Sequence, residues 1–195
     1  MKNIWVIALV LLLVSGCTTT QIRNGKVQNS EPKLVNLLPA KIHGYEYFDY
    51  KNFEGDLGYR LRFIKEHDDN HIADIYIWPV STETLKYPHR EIVLSVAEGA
   101  LNDIYTVQEA GVYSNVKVLD GKEYNNNGQI MAMYKLTMLR QNLNSISYLY
   151  VTEFGDKYLK LRISLPDNEV NREREDIEQF MLDLLNRIIN NIESA

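Results

Sequence analysis

Alternating apolar and polar positions recur through most of the chain and predict β-strands. In residues 57–63, Leu, Tyr and Phe alternate with Gly and Arg, the period of two that is typical of a half-buried strand. Residues 72–80 are almost continuously apolar, and the polar run 67–71 between these segments predicts a hairpin. Similar patterns predict further strands at residues 45–50, 113–119, 129–140, 145–154 and 157–165.

Turn signals divide these strands. Asp120-Gly121 is a strong signal for a type I′ hairpin turn, so the strand over 113–119 is expected to end there and to return briefly over 122–124. Gly155-Asp156 joins the last two predicted strands in the same way.

Two segments have the period of an amphipathic helix instead. The first covers residues 88–110, with Pro88 suited to its first turn and Gly111 to the position after its end. The second covers about 169–192, where acidic residues in the early turns complement the helix dipole. Its apolar stripe consists of Ile177, Phe180, Met181, Leu184, Leu185, Ile188, Ile189 and Ile192.

The element order defines a fold class. Short connections between strands imply antiparallel pairing, and two amphipathic helices must cover the resulting sheet. The sequence therefore predicts an α+β fold with an antiparallel sheet of about six to seven strands and two covering helices.

The last predicted strand ends in a proline just before the second helix. Its sequence is Lys157-Tyr158-Leu159-Lys160-Leu161-Arg162, followed by Leu165-Pro166. Over roughly residues 40–192, the order and length resemble the PsbP-like α/β/α fold, which is named after a photosystem II extrinsic subunit and also occurs in small bacterial lipoproteins. The resemblance implies an α/β/α sandwich. It brings no functional motif and therefore no site residue.

The amino terminus has the pattern of a secretion signal. Lys2 precedes eleven consecutive apolar residues, from Ile4 to Val14. This run is shorter than the about 20 residues that span a bilayer, and it suits the apolar region of a signal peptide. The next residues, Val14-Ser15-Gly16-Cys17, resemble the lipobox of bacterial lipoproteins.

The lipobox resemblance implies cleavage between Gly16 and Cys17, attachment of diacylglycerol to the Cys17 thiol, and acylation by fatty acids such as palmitate. Two or three acyl chains anchor a protein stably, whereas one does not. Thr18 stands where an aspartate would favour the inner membrane, so the resemblance favours the periplasmic face of the Gram-negative outer membrane. The alternative is an ordinary secretory signal that a cysteine happens to follow.

The lipobox divides the chain into three parts: a signal peptide over 1–16, a lipidated polar tether over 17–36, and a single α+β domain over 37–195. Residues 17–195 carry 20 basic and 26 acidic side chains. An acidic chain has no electrostatic reason to bind nucleic acid or an anionic membrane surface, so membrane contact is expected from the lipid. Because Cys17 is the single cysteine, the domain is expected to have no disulfide.

The best candidate for chemistry is the run His67-Asp68-Asp69-Asn70-His71. At a hairpin end, His67 and His71 are expected to face each other, and together with Asp69 they would supply ligands for Zn²⁺ or Cu²⁺. The alternative is a solvated turn, in which Asp and Asn bond to their own backbone. His43 and His89 have no partner nearby in the sequence and are expected to be structural or exposed.

Motifs for catalysis are absent from the sequence: it has no P-loop, no Gly-x-Gly-x-x-Gly and no Gly-x-Ser-x-Gly. No cofactor and no enzymatic activity are expected. The chain is rich in tyrosine, and many tyrosines lie in predicted strands, where they suit either ordinary packing or a patch that contacts a partner. These strand tyrosines are Tyr45, Tyr47, Tyr50, Tyr59, Tyr76, Tyr134, Tyr148, Tyr150 and Tyr158.

Three functions follow in order of preference. The first is a membrane-anchored envelope lipoprotein that acts as a non-enzymatic accessory module and binds a protein partner. The second is a ligand or metal carrier that uses the 67–71 turn or a groove between sheet and helix. The third is a hydrolase whose catalytic residues are dispersed in the sequence.

Overall fold

The computed structural model describes residues 38–53, 58–126 and 129–192. The predicted signal peptide, Cys17 and the tether lie outside the described residues. Eight strands and two α-helices follow one another: β1 Lys41–Ile42, β2 Tyr45–Asn52, β3 Tyr59–Lys65, β4 Asp68–Pro79, α1 His89–Glu109, β5 Tyr113–Asn126, β6 Gln129–Arg140, β7 Leu143–Phe154, β8 Lys157–Pro166 and α2 Val170–Ile192. Short 3₁₀ turns at Thr84–Lys86 and Asp167–Glu169 precede the two helices.

The strands form one sheet in the order β1-β2-β3-β4-β8-β7-β6-β5, and every neighbouring pair is antiparallel. Helix α1 carries the chain from β4, in the middle of the sheet, to β5 at the far edge. Three hairpins then return it to β8, which pairs with β4. The chain is therefore α+β, and β4 and β8 bring together residues that are far apart in the sequence.

The expected count of six to seven strands is wrong, because the described residues form eight. The additional strand is β1, whose two residues pair with the start of β2. A two-residue strand shows no periodicity, so a pattern of apolar positions cannot reveal it.

The predicted turn at Asp120-Gly121 is also wrong. The chain continues through this dipeptide as β5, and Gly121 pairs with Tyr134 of β6. The register shifts between Val118 and Asp120, as it does at a β-bulge. A Cβ atom on Gly121 would lie 3.1 Å from the Tyr134 ring, so glycine at this position lets the ring lie close over the strand.

Helix α2 covers one face of the sheet. Its apolar stripe meets alternate residues of β3, β4 and β8, which supply most of the larger core. Tyr45 of β2 joins this core, with its ring centroid 4.4 Å from that of Phe180. The main contributors are Leu61, Phe63, Ala73, Ile75, Ile77, Leu159, Leu161, Ile163, Leu165, Ile177, Phe180, Leu184 and Ile188.

Helix α1 packs on the opposite face, over β5, β6 and β7. The two helices therefore enclose the sheet from both sides in an α/β/α arrangement. This second core consists mainly of Val93, Ala97, Ala100, Ile104, Leu136, Leu149 and Val151. The first turns of α1 also reach Tyr158 at one end of β8. Neither helix in the described residues is long and apolar enough to cross a bilayer.

Candidate functional site

The two helices cover unequal parts of the sheet. Because α1 lies over β5 to β7, no helix of the described residues covers the same face of β2, β3 and β4. Strand alternation directs polar and aromatic side chains to this uncovered area. We call this area, together with the adjoining side chains of β8, the open face. Its central residues are Asp49, Lys51, Arg60, Arg62, Asp74, Tyr76, Trp78, Lys160 and Arg162.

Strand register arranges the open face in rows. Asp74 of β4 lies between Arg62 of β3 and Arg162 of β8. In the next row, Tyr76 lies between Arg60 and Lys160. Charged residues therefore flank each central side chain. Asp49 pairs with Arg62, so the first row has two cations and two carboxylates, whereas the second row, in which Lys51 pairs with Arg60, has three cations and no carboxylate.

Asp74 forms the strongest ion pair of the open face. Arg62 donates from Nε to Oδ1 of Asp74 at 2.7 Å and from Nη2 to Oδ2 at 2.8 Å. Burial alone would lower the pKa of Arg62, but the hydrogen bonds and the charge of Asp74 raise it. Arg60 donates from Nη2 to Oδ1 of Asp49 at 2.7 Å. Each of the two β3 arginines is thus held by a carboxylate.

Lys160 lies between aromatic rings. Its Nζ atom is 4.5 Å from the ring centroid of Tyr76 and 5.9 Å from that of Trp78, distances typical of cation–π contacts. The side chain is 18% exposed, and Asp103 of α1 lies 3.8 Å from Nζ. Burial lowers the pKa of Lys160, and the charge of Asp103 opposes this effect. The ammonium group is therefore only partly compensated.

Arg162 is held by neutral groups. Its Nε donates to Oγ of Ser147 at 2.9 Å and its Nη1 to the hydroxyl of Tyr113 at 3.2 Å, while the guanidinium carbon lies 5.0 Å from the Tyr113 ring centroid. In the described part of the chain, no carboxylate forms an ion pair with Arg162. Arg140 of β6 lies beside the open face, and burial together with the charges of Arg162 and Arg62 lowers its pKa. We call Arg140 and Asp103, which border the open face, its rim.

The open face and its rim therefore carry an excess of positive charge. Six cations face three carboxylates, on a chain whose formal net charge is −5. The cations are Lys51, Arg60, Arg62, Arg140, Lys160 and Arg162, and the carboxylates are Asp49, Asp74 and Asp103. Partly buried guanidinium groups bind carboxylates with paired hydrogen bonds, so this surface is suited to bind anions.

The residues predicted for a metal site do not come together as a group. Lys65 pairs with Asp68, so the turn consists of Glu66 and His67 only. His67 has a φ of 64° and a side chain that is 90% exposed, and Asp69 is also exposed. His71 is buried and faces Asp68 and Glu169 instead. The expected facing of His67 and His71 is wrong because β4 begins earlier than the polar run suggested.

The other two histidines also contact carboxylates. Nε2 of His43 lies 2.7 Å from Oδ2 of Asp183 on α2, and this contact lowers the pKa of Asp183. Nδ1 of His89 lies 3.0 Å from Oε1 of Glu153 on β7. The partners are 140 and 64 residues away, so the neighbouring sequence could not reveal them.

The strand tyrosines lie in different environments. Tyr45, Tyr150 and Tyr158 are buried in the cores. Tyr76 lies on the open face, where its ring stacks on Phe53 at a centroid distance of 6.4 Å. Tyr76 thus combines an aromatic surface with a neighbouring cation on the open face, and Tyr148 has a similar contact with Lys135, at 5.6 Å.

No protein-family model matches the chain, and no curated protein matches it by sequence. Among solved structures, it is similar to cyanobacterial PsbP from Synechocystis sp. PCC 6803, at 11% identity and a TM-score of 0.47, over 71% of this chain and 84% of that one. A protein of unknown function from Pseudomonas aeruginosa gives 8% identity and a TM-score of 0.43, over 67% of this chain and 83% of that one. A protein from Bacteroides thetaiotaomicron gives 11% identity and a TM-score of 0.38, over 70% of this chain and 44% of that one.

Proposed function

We propose that this chain is a lipid-anchored, non-enzymatic accessory module of the cell envelope, and that its open face binds an acidic segment of a partner protein. The observation that carries the proposal is the concentration of five cations against two carboxylates on an uncovered part of the sheet. Local charge of this sign on an acidic chain favours selective binding, because it attracts anionic partners to this surface.

The dimensions and chemistry of the surface favour a peptide segment. From β2 to β8 it spans three strand spacings, about 14 Å. A helix with side chains is about 10–12 Å across, so one helix or an extended strand has room to lie there. Arginines match the planar carboxylates of Asp and Glu, and Tyr76 and Trp78 offer the aromatic contacts that are common at interfaces.

Charge argues against the chain's own amino-terminal part as the occupant. Residues 18–37 contain three cations, Arg23, Lys26 and Lys33, and one carboxylate, Glu31. A segment with a positive excess does not complement a surface of the same sign. We therefore propose that the acidic segment belongs to another molecule.

The anchoring part of the proposal rests on the lipobox resemblance of Val14-Ser15-Gly16-Cys17. Its test is intact-mass analysis of the protein from its native membrane. We expect a chain that begins at Cys17 and carries diacylglycerol and acyl groups, and Cys17→Ser is expected to leave the leader uncleaved. An unmodified thiol in the native protein would contradict the anchoring.

The binding part can be tested with the full-length protein in non-ionic detergent. The probe is a fluorescent peptide of ten glutamates, with a peptide of ten lysines for comparison. Trp78 supplies a second signal, because the other tryptophan is Trp5 of the predicted leader. We expect binding of the acidic peptide that weakens with salt and changes Trp78 emission.

Matched variants separate this surface from general charge. Arg60→Gln combined with Lys160→Gln is expected to weaken binding at least about tenfold, the effect of about 1.4 kcal/mol. Arg187→Gln removes an exposed cation on α2, which covers the other face, and is expected to leave the affinity unchanged. Equal effects of the two changes would refute the proposed surface. Concentration-dependent self-association abolished by the open-face variant would identify a second copy as the partner instead.

A further inference from the structure

A second polar cluster lies away from the open face, where β4 begins. Between the pairs Lys65–Asp68 and Ile64–Ile72 the register shifts, so β4 bulges over residues 69–71. The bulge lets His71 turn towards Glu169, which the 3₁₀ turn before α2 supplies. Nε2 of His71 lies 3.0 Å from Oε2 of Glu169 and 3.4 Å from Oδ2 of Asp68.

His71 is unusual because it is almost completely buried. Its side chain is 1% exposed, and its Nδ1 atom has no hydrogen-bond partner in the described part of the chain. Its polar contacts are therefore those of Nε2 with the two carboxylates of this cluster. A buried ring with one unpartnered nitrogen costs stability, so the position of His71 depends on the contacts that its other nitrogen, Nε2, makes with the two carboxylates.

The distances suit a metal ion. Zn²⁺ binds histidine nitrogen and carboxylate oxygen at about 2.0–2.2 Å, which places neighbouring ligand atoms roughly 3.3–3.6 Å apart in a tetrahedron. The two separations from Nε2, 3.0 and 3.4 Å, are close to this value, and all three ligand atoms lie within 4.8 Å of one another.

We propose that Asp68, His71 and Glu169 bind one divalent ion of the Zn²⁺ class, with the remaining coordination positions open to water or to a partner's ligand. One nitrogen and two oxygens favour Zn²⁺ over the harder Mg²⁺, which prefers oxygen ligands alone. The ion would join the start of β4 to the entrance of α2.

The test uses the full-length, untagged protein after treatment with a chelator, and calorimetric titration with Zn²⁺ and, separately, Mg²⁺. We expect one Zn²⁺ per chain with much weaker Mg²⁺ binding. Asp68→Asn and Glu169→Gln are each expected to weaken Zn²⁺ binding at least tenfold. Asp69→Asn and His67→Ala are the matched controls, because they change neighbouring residues outside the cluster, and both are expected to bind as the wild type does.

A second measurement uses the unaltered protein and does not depend on how the variants fold. Ring nitrogen signals of the four histidines are followed by NMR during the Zn²⁺ titration. We expect those of His71 to shift first, with His43, His67 and His89 unaffected at one equivalent. Absence of stoichiometric binding, loss of binding in His67→Ala, or first shifts at another histidine would overturn the proposal.

Discussion

Arg62 on β3 and Asp74 on β4 form a two-point ion pair across the open face, with N–O distances of 2.7 and 2.8 Å. Asp74 also lies 3.8 Å from Nε of Arg60, an atom that is buried and has no hydrogen-bond partner in the described residues. One carboxylate, 13% exposed, therefore compensates two guanidinium groups. The members of this cluster are consequently unequal in their importance for stability.

This inequality predicts the effect of removing each partner. Asp74→Asn leaves two partly buried arginines without their shared carboxylate and is expected to lower the free energy of unfolding by about 1–3 kcal/mol. Arg62→Gln is expected to cost less, because Arg60 remains beside Asp74. Chemical denaturation of both variants measures the difference. An equal loss in the two variants would mean that Asp74 does not serve both arginines.

Replacing two glycines by alanine is expected to change the stability of the protein in opposite directions. Gly58 has a φ of 80°, and a Cβ atom there would lie 2.0 Å from the carbonyl oxygen of Ile77 and 2.6 Å from Cβ of Trp78. Gly58→Ala is therefore expected to destabilise by about 2 kcal/mol or more, and to change Trp78 emission. Gly99 lies on the exposed side of α1, where an added Cβ atom would meet nothing within 4 Å, so Gly99→Ala is expected to stabilise by about 0.5–1 kcal/mol.

Denaturation curves for the two alanine variants provide the check, each serving as the control for the other. A neutral Gly58→Ala would show that β3 and β4 can move apart at this end of the open face. A destabilising Gly99→Ala would show that α1 is packed on the side where its exposure indicates solvent.

The sequence predicts the main elements because their periods are local. The alternation in residues 57–63 identifies β3, and the helical stripes identify α1 and α2 to within one or two residues at each described end. The open face is not predictable in this way. The arginines of β3 are visible as the polar half of the alternation, but Arg162, in the same row of the sheet, is 100 residues away from Arg62.

Long-range pairing also explains why the candidate sites differ from expectation. A net charge of −5 averages over the whole surface and does not reveal a local excess of cations. The metal cluster combines His71 with Glu169, 98 residues later. His67 and Asp69 were expected to join His71 because they are close to it in the sequence. A two-residue turn and a bulge decide which side chains of this segment face inward, and they leave both residues exposed.

Removing the buried hydroxyl of Tyr45 is expected to leave the protein at least as stable as the wild type. Its side chain is 0% exposed, and its hydroxyl has no hydrogen-bond partner among the described residues. Tyr45→Phe keeps the ring contact with Phe180 and removes a buried polar group, so we expect a change between zero and about 1 kcal/mol in favour of folding. Tyr113→Phe is the matched control, because the Tyr113 hydroxyl accepts a hydrogen bond from Nη1 of Arg162 at 3.2 Å, and it is expected to cost about 1 kcal/mol.

The same tyrosine makes stability depend on alkaline pH. Burial raises the pKa of Tyr45 above its ordinary value of 10.0, with the charges of Asp176 and Asp68 adding to the effect. In the unfolded chain the phenol loses its proton near pH 10, whereas in the folded chain it stays protonated. The unfolded state therefore binds fewer protons above pH 10, and the free energy of unfolding falls by up to about 1.4 kcal/mol per pH unit for each such group. Tyr45→Phe removes one of these groups, so between pH 10 and 12 the variant is expected to lose stability less steeply than the wild type. Parallel slopes in urea denaturation at stepped pH would show that the Tyr45 phenol ionises equally in both states.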